Sequence, residues 1–197
     1  MTRILLFSGS QRRESFNTRL LAHVEFHLQW QCEVDWIHPA EVDLPLFDQD
    51  LEADSAVSAK VAALLQRFAS CDALIVACPE YNGQATPYLK NTIDWVTRLS
   101  HIDARYTNPF VDKPVLLCSA STGWSGGAVA LPHLRALFGY VGSNVLGCTV
   151  SIAHANHKWT EDGFQFSDDT ESQIDEALLR LLKICGQTNH ERSTLTL

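Results

Sequence analysis

Phe7-Ser8-Gly9-Ser10-Gln11-Arg12-Arg13-Glu14-Ser15-Phe16-Asn17-Thr18 decides how the rest of the chain is read. It follows the apolar run Ile4-Leu5-Leu6-Phe7 and precedes Leu20, Leu21 and Val24, which are spaced as on one face of a helix. A strand therefore runs into a polar loop and then into a helix start. The loop offers hydroxyls at Ser10, Ser15 and Thr18, an amide at Asn17 and guanidiniums at Arg12 and Arg13. Backbone N–H groups at a helix N-terminus are unpaired and the helix dipole adds positive potential, so an acceptor-rich phosphate is suited to this point. The competing reading is that Ser15 or Asn17 simply caps the helix. Neither the G-x-x-x-x-G-K-[ST] loop nor the G-x-G-x-x-G fingerprint is present, which favours a mononucleotide carrying one monophosphate over a triphosphate.

Outward from that stretch, apolar runs alternate with helical ones. The first strand covers about 3–8 and the first helix about 15–29. Cys32–Ile37 alternates and reads as a second strand. A Pro- and Asp-rich loop over 38–54 leads to a helix over about 56–69, with Ser55 as its cap. Ala73-Leu74-Ile75-Val76-Ala77 is apolar throughout, as a strand buried on both faces should be. Thr86-Pro87 opens a third helix, about 87–98. An irregular connection over 99–112 precedes a strand at 115–119. A fourth helix over 127–140, a strand over 144–152 and a helix over 170–185 follow. The long loop 153–169 contains a small hairpin around Asp162-Gly163, and residues 186–197 read as a mobile polar tail.

This rhythm predicts a three-layer α/β fold of the flavodoxin-like kind. A five-stranded parallel sheet in the order 2-1-3-4-5 carries helices on both faces, within one domain over 1–185. Ligands in such sheets bind beyond the carboxyl ends of the strands, at the switch point between strands 1 and 3. Three unusual segments meet there: Ser8–Thr18, Pro79–Gly83 and Ser119–Gly127. The second suits a flat heterocycle. Pro79 sets the chain direction, N–H groups from Glu80 to Gly83 can face a ring edge, and Gly83 permits close approach. In the third, Gly123, Gly126 and Gly127 allow a positive φ and Trp124 is placed to cover a ligand. Ordinary Pro-, Asn- and Gly-containing turns are the competing reading of both.

Composition narrows the function. The chain has 197 residues, 46% hydrophobic and 19% charged, with a net charge of −8. That balance argues against nucleic acid or an anionic membrane as partner. No signal-peptide pattern precedes the first strand and no apolar run is long enough to span a bilayer, so the cytoplasm is expected. The six cysteines lack C-x-x-C spacing and read as free, buried thiols.

Gly9-Ser10-x-Arg12-x-x-Ser15-x-Asn17, then Pro79-Glu80-Tyr81-Asn82-Gly83, then Pro87-x-Leu89-Lys90-Asn91-x-Ile93-Asp94-Trp95 resembles the NAD(P)H-dependent FMN reductase family, which includes quinone, chromate and azo-dye reductases. The resemblance spans about residues 3–150. It implies that Ser10, Arg12, Ser15, Asn17 and Thr18 hold the phosphate of FMN, and that Pro79, Glu80, Tyr81, Asn82 and Gly83 border the isoalloxazine. Ser119, Ser121, Gly123 and the following glycines, Gly126 among them, would form the third wall. It also implies NAD(P)H as co-substrate, ping-pong hydride passage to a small acceptor, and a homodimer or homotetramer with the third helix near the subunit contact. The loop 153–169 and the polar tail depart from the family pattern.

The chemistry of such a protein resides in its flavin, and no catalytic side chain is assigned. His154-x-x-His157 has the spacing of a metal pair, but further ligands are not evident, so no metal site is assigned. Cys78, beside the second loop, reads as a structural thiol rather than a redox partner. A different functional class remains open: an FMN-binding electron carrier reduced by a protein partner. A carrier calls for an acidic face around the ring. Here the ring loop carries only Glu80, and the first loop has two arginines, which suits a phosphorylated dinucleotide better.

Overall fold

The computed structural model describes the backbone of residues 1–194 and the side chains of residues 1–187. Five strands form one parallel sheet: β1 (Arg3–Ser8), β2 (Glu33–Ile37), β3 (Ala73–Ala77), β4 (Pro114–Ala120) and β5 (Asn144–Ile152). Their spatial order is β2-β1-β3-β4-β5, the order expected from the alternation of apolar runs. Ile4 pairs with Ala73 and Ser8 with Ala77, so the carboxyl ends of β1 and β3 finish level with each other.

The pleat sorts β1, β3 and β4 into two cores, because successive side chains leave on opposite faces. Leu5, Phe7, Leu74, Val76, Val115 and Leu117 pack on one side. There they meet α2 (Ser55–Ala69), α3 (Pro87–Ile102) and α4 (Ala130–Tyr140), through Val61, Phe68, Ile93, Leu134 and Phe138. Ile4, Leu6, Ile75, Leu116 and Cys118 pack on the other side. Their partners include Leu20 and Val24 from α1 (Phe16–Leu28), and Ile174 and Leu181 from α6 (Asp168–Thr194). Burying each such Leu, Ile or Phe contributes about 1.5–3 kcal/mol, which is what holds the three layers together. The connection after β5 holds a short helix, α5 (Ala155–Lys158), and the expected hairpin, β6 (Trp159–Thr160) with β7 (Gly163–Phe164).

Several boundaries depart from the sequence reading, among them β2, which starts at Glu33 rather than Cys32, and β4, which spans Pro114–Ala120 rather than 115–119. The cap of α2 is Asp54, not Ser55: its carboxylate accepts from the N–H groups of Ala56 and Val57. α3 runs to Ile102 because buried Leu99 prolongs the stripe of Ile93 and Val96. α4 begins at Ala130, since Gly126 and Gly127 have φ of 61° and 87° and cannot belong to a right-handed helix. The last helix begins at Asp168 and passes through Gly186 to Thr194, where a polar tail from residue 186 was expected. One helical glycine costs only about 1 kcal/mol relative to alanine, and no proline follows it. Residues 195–197 lie outside the described residues. Among the described residues no helix is long and apolar enough to cross a membrane.

Candidate functional site

The carboxyl edge of the sheet is built by close backbone approach. Gly9 N–H donates to the Ala77 carbonyl at 2.8 Å. A Cβ on Gly9 would lie 2.7 Å from Cys78 Sγ, so only glycine lets the first loop leave the sheet here. Thr86, the N-cap of α3, donates its hydroxyl to the Gly9 carbonyl at 2.6 Å and accepts from Leu89 N–H. The first loop and the start of α3 are thereby tied together.

Ser15 is the N-cap of α1, and its buried Oγ accepts from the N–H groups of Asn17 and Thr18. The capping reading and the anion-site reading are thus compatible. With those two donors consumed, the N–H groups of Gln11, Arg13, Glu14 and Phe16 have no protein partner among the described residues. Arg12 and Arg13 are exposed and have no carboxylate partner there either. Arg12 lies 5.5 Å from the centre of the Phe16 ring. These uncommitted donors and cations are a fit for a phosphate.

Two long-range contacts bring the other loops to this point. The Asn17 amide pairs with the backbone of Ala120, at the end of β4: Nδ2 donates to the carbonyl at 2.8 Å and Oδ1 accepts the N–H at 2.9 Å. The Glu80 carboxylate accepts from Val129 N–H at 3.1 Å and Ala130 N–H at 2.9 Å. Val129 makes no side-chain cap of its own, so the second loop caps α4 in place of a local residue.

Between the loops lies a cleft of about 380 Å³. Ser10, Arg12, Ser15, Asn17, Pro79, Glu80, Tyr81 and Ser121 line it, as the sequence led one to expect. Phe16, Ala120 and Thr122 also line it and were passed over; each sits beside a predicted site residue, which was the only signal available. The other predicted residues flank the cleft. Thr18 bonds Ser8 Oγ at 2.8 Å. Asn82 and Gly83, at φ of 52° and 75°, form the turn that closes a Tyr81–Gln84 bridge. That bridge uses the Tyr81 N–H, leaving the N–H groups of Glu80, Asn82 and Gly83 without a protein partner among the described residues. Ser119 is fully buried beneath Gly127. Gly123 does not take a positive φ, and its N–H is held by Ser121 Oγ at 3.0 Å. Gly126 is packed against Ser151. Trp124, within the third loop, is exposed.

Cys78 is buried and its thiol is pushed up by desolvation, which keeps it protonated and unreactive. Its Sγ contacts the Pro79 carbonyl and the Thr86 hydroxyl, and Cys78 does not itself line the cleft.

The NADPH-dependent FMN reductase family model matches residues 2–157. The chain belongs to that family. It is accordingly an NAD(P)H-dependent oxidoreductase whose cofactor is FMN, and the donor set described above fits that cofactor's phosphate. The quinone reductase of Escherichia coli is 32% identical over 143 residues, covering 73% of this chain and 72% of its own length. An NADPH:quinone oxidoreductase of Arabidopsis thaliana is 28% identical over 189 residues, covering 92% and 90% respectively. The flavoenzyme NAD(P)H:(acceptor) oxidoreductase FerB of Paracoccus denitrificans shares the fold, with a TM-score of 0.80, 23% identity, and 95% and 98% of the two chains covered.

Proposed function

We propose that this FMN reductase family member passes reducing equivalents from NAD(P)H to a small quinone or free flavin, in ping-pong fashion. The relatives that carry quinone reductase names favour that acceptor class. The observation that carries the site assignment is the Asn17–Ala120 pair, which ties the loop of uncommitted phosphate donors to the third loop at the cleft.

When bound, FMN supplies the hydride-accepting chemistry. The chain's own residues bind and orient. N–H groups at the start of α1, with Arg12, Ser10 and Ser15, would hold the phosphate. Pro79, Glu80 and Tyr81 would border the ring, and the free N–H groups of Asn82 and Gly83 would be donors for its edge. N–H groups of Thr122 and Trp124, uncommitted among the described residues, offer positive potential on the third side. Arg13 is available for the 2′-phosphate of NADPH. The protein works as one domain in the cytoplasm, in keeping with six cysteines that are all free. Its assembly is a homodimer or homotetramer through α3, where exposed Phe47 and Tyr140 rim a hollow of about 580 Å³.

Anaerobic addition of NADPH, then NADH, to the FMN-loaded protein tests this reading. Rapid bleaching of the flavin absorbance is expected, faster with NADPH, and Arg13→Ala should narrow the difference between the two nucleotides. Bound flavin that neither nucleotide bleaches would overturn it.

A further inference from the structure

His23 and His27 are four residues apart on α1 and therefore share one face. Glu171, in the first turn of α6, meets them from the opposing helix. We propose that His23, His27 and Glu171 are three protein ligands of a zinc-class divalent cation that pins α6 to α1, none of them lining the cleft.

The geometry carries the inference. His23 Nε2 lies 3.2 Å from His27 Nε2 and 2.9 Å from Glu171 Oε2, and His27 Nε2 lies 3.3 Å from the same oxygen. Metal–ligand bonds of about 2.0–2.1 Å at tetrahedral angles set ligand atoms about 3.3 Å apart. The triangle has nearly that size. His27 Nδ1 lies 2.7 Å from Asp175 Oδ1. Asp175 and Glu171 are themselves four apart on α6, so one face of that helix supplies both carboxylates. Accepting the Nδ1 proton, Asp175 leaves the His27 Nε2 lone pair available to a cation, the carboxylate–histidine arrangement that orients metal ligands.

Hydrogen bonding between neutral histidines serves the same atoms poorly. With His27 protonated on Nδ1, a single proton on His23 Nε2 must satisfy two acceptors, Glu171 and His27. A cation satisfies all three lone pairs. The rings of Phe164 and Phe166 stand nearly perpendicular to His23, with ring centres 6.4 and 5.0 Å away, and hold its orientation. The side chains are 18%, 20% and 31% exposed, so water can supply the fourth ligand. The pair noticed in the sequence, His154 and His157, stacks ring on ring at 6.0 Å and gathers no third ligand among the described residues.

The test is a calorimetric titration of zinc chloride into the full-length protein after dialysis against a chelator, with the unfolding temperature as second readout. One equivalent should bind and raise the unfolding temperature. His27→Gln and Glu171→Gln should each weaken binding at least tenfold, and Asp175→Asn about tenfold or more. No binding, or binding undiminished by these substitutions, would show a hydrogen-bonded clasp only. Should the variants fail to fold, the unmodified protein decides. Zinc must shift the imidazole NMR signals of His23 and His27 and leave those of His154 and His157; the reverse pattern overturns the proposal. None of these readouts depends on flavin or nicotinamide.

Discussion

The side chain of Asn17 and the backbone of Ala120 form a two-point hydrogen-bonded pair across 103 positions of sequence, and both partners are buried. The pair locks the phosphate loop to the end of β4. Asn17→Ala strands a buried N–H and a buried carbonyl, at about 1–3 kcal/mol. Chemical denaturation should show that loss, and FMN should bind more weakly. Asn17→Asp keeps the acceptor for Ala120 N–H but places a negative charge beside the phosphate site. Its FMN affinity, read by fluorescence titration, should fall further than that of Asn17→Ala.

Glu80 replaces a local cap for α4. Glu80→Ala leaves Val129 and Ala130 N–H without their acceptor and should cost about 1 kcal/mol, the usual penalty for a lost cap. Thermal unfolding measures this. The third loop loses its tether to the second, so flavin affinity should decline as well.

Gly127 cannot be replaced. At its φ of 87°, an added Cβ would lie 2.0 Å from Ser119 Oγ, inside the core. Overpacking of about 1–3 kcal/mol adds to a left-handed penalty of about 1–2 kcal/mol in Gly127→Ala. Urea denaturation should show a loss of about 2–5 kcal/mol, and Ser119→Gly in the same chain should recover part of it.

Asp35 gives the fold a dependence on acid. Burial alone would raise its carboxyl pKa. The two-point hydrogen bond and the charge of Arg67 more than offset that and hold it below the ordinary carboxylate range. A pKa lowered in the folded state stabilises above the unfolded value of about 3.9, and that stabilisation disappears as pH falls through the folded value. The stability gap between the wild type and Asp35→Asn should therefore stay constant from pH 7 to 5 and close below about pH 4. Denaturation midpoints across that range provide the check.

Burial separates the thiols into two classes. Cys118 is pushed up to about 12, and Cys71 and Cys185 to about 11, by desolvation. Cys32 and Cys148 are only partly buried. A chromogenic thiol reagent at mild alkaline pH should react with Cys32 and Cys148 ahead of the buried thiols in the native protein. All six thiols should react once the protein is unfolded.

Much of this was legible in the chain. Ala73–Ala77 and Asn144–Ile152 were recognisable to the residue because apolar composition and alternation are local properties. The sheet order follows from their alternation with helices. The three polar loops at the strand ends were visible for the same reason. Helix ends were less legible: Asp54 and Ser55 are equally good caps on paper, and only the backbone conformation at Asp54 decides between them.

Residue types and spacing alone determined the strands, the parallel sheet, the family motifs and the neighbourhood of the site. Tertiary structure decided which polar atoms remain free within it. Asn17 and Glu80 each carry unused acceptors in the sequence, yet both are consumed by backbone groups 103 and 50 residues away. Likewise the two histidines of α1 share a helix face by spacing, but only the packing of α6 against α1 brings Glu171 to them. A hydrogen bond needs its partner within about 3 Å, and long-range partners meet at that distance only when the packed layers of the fold bring them there.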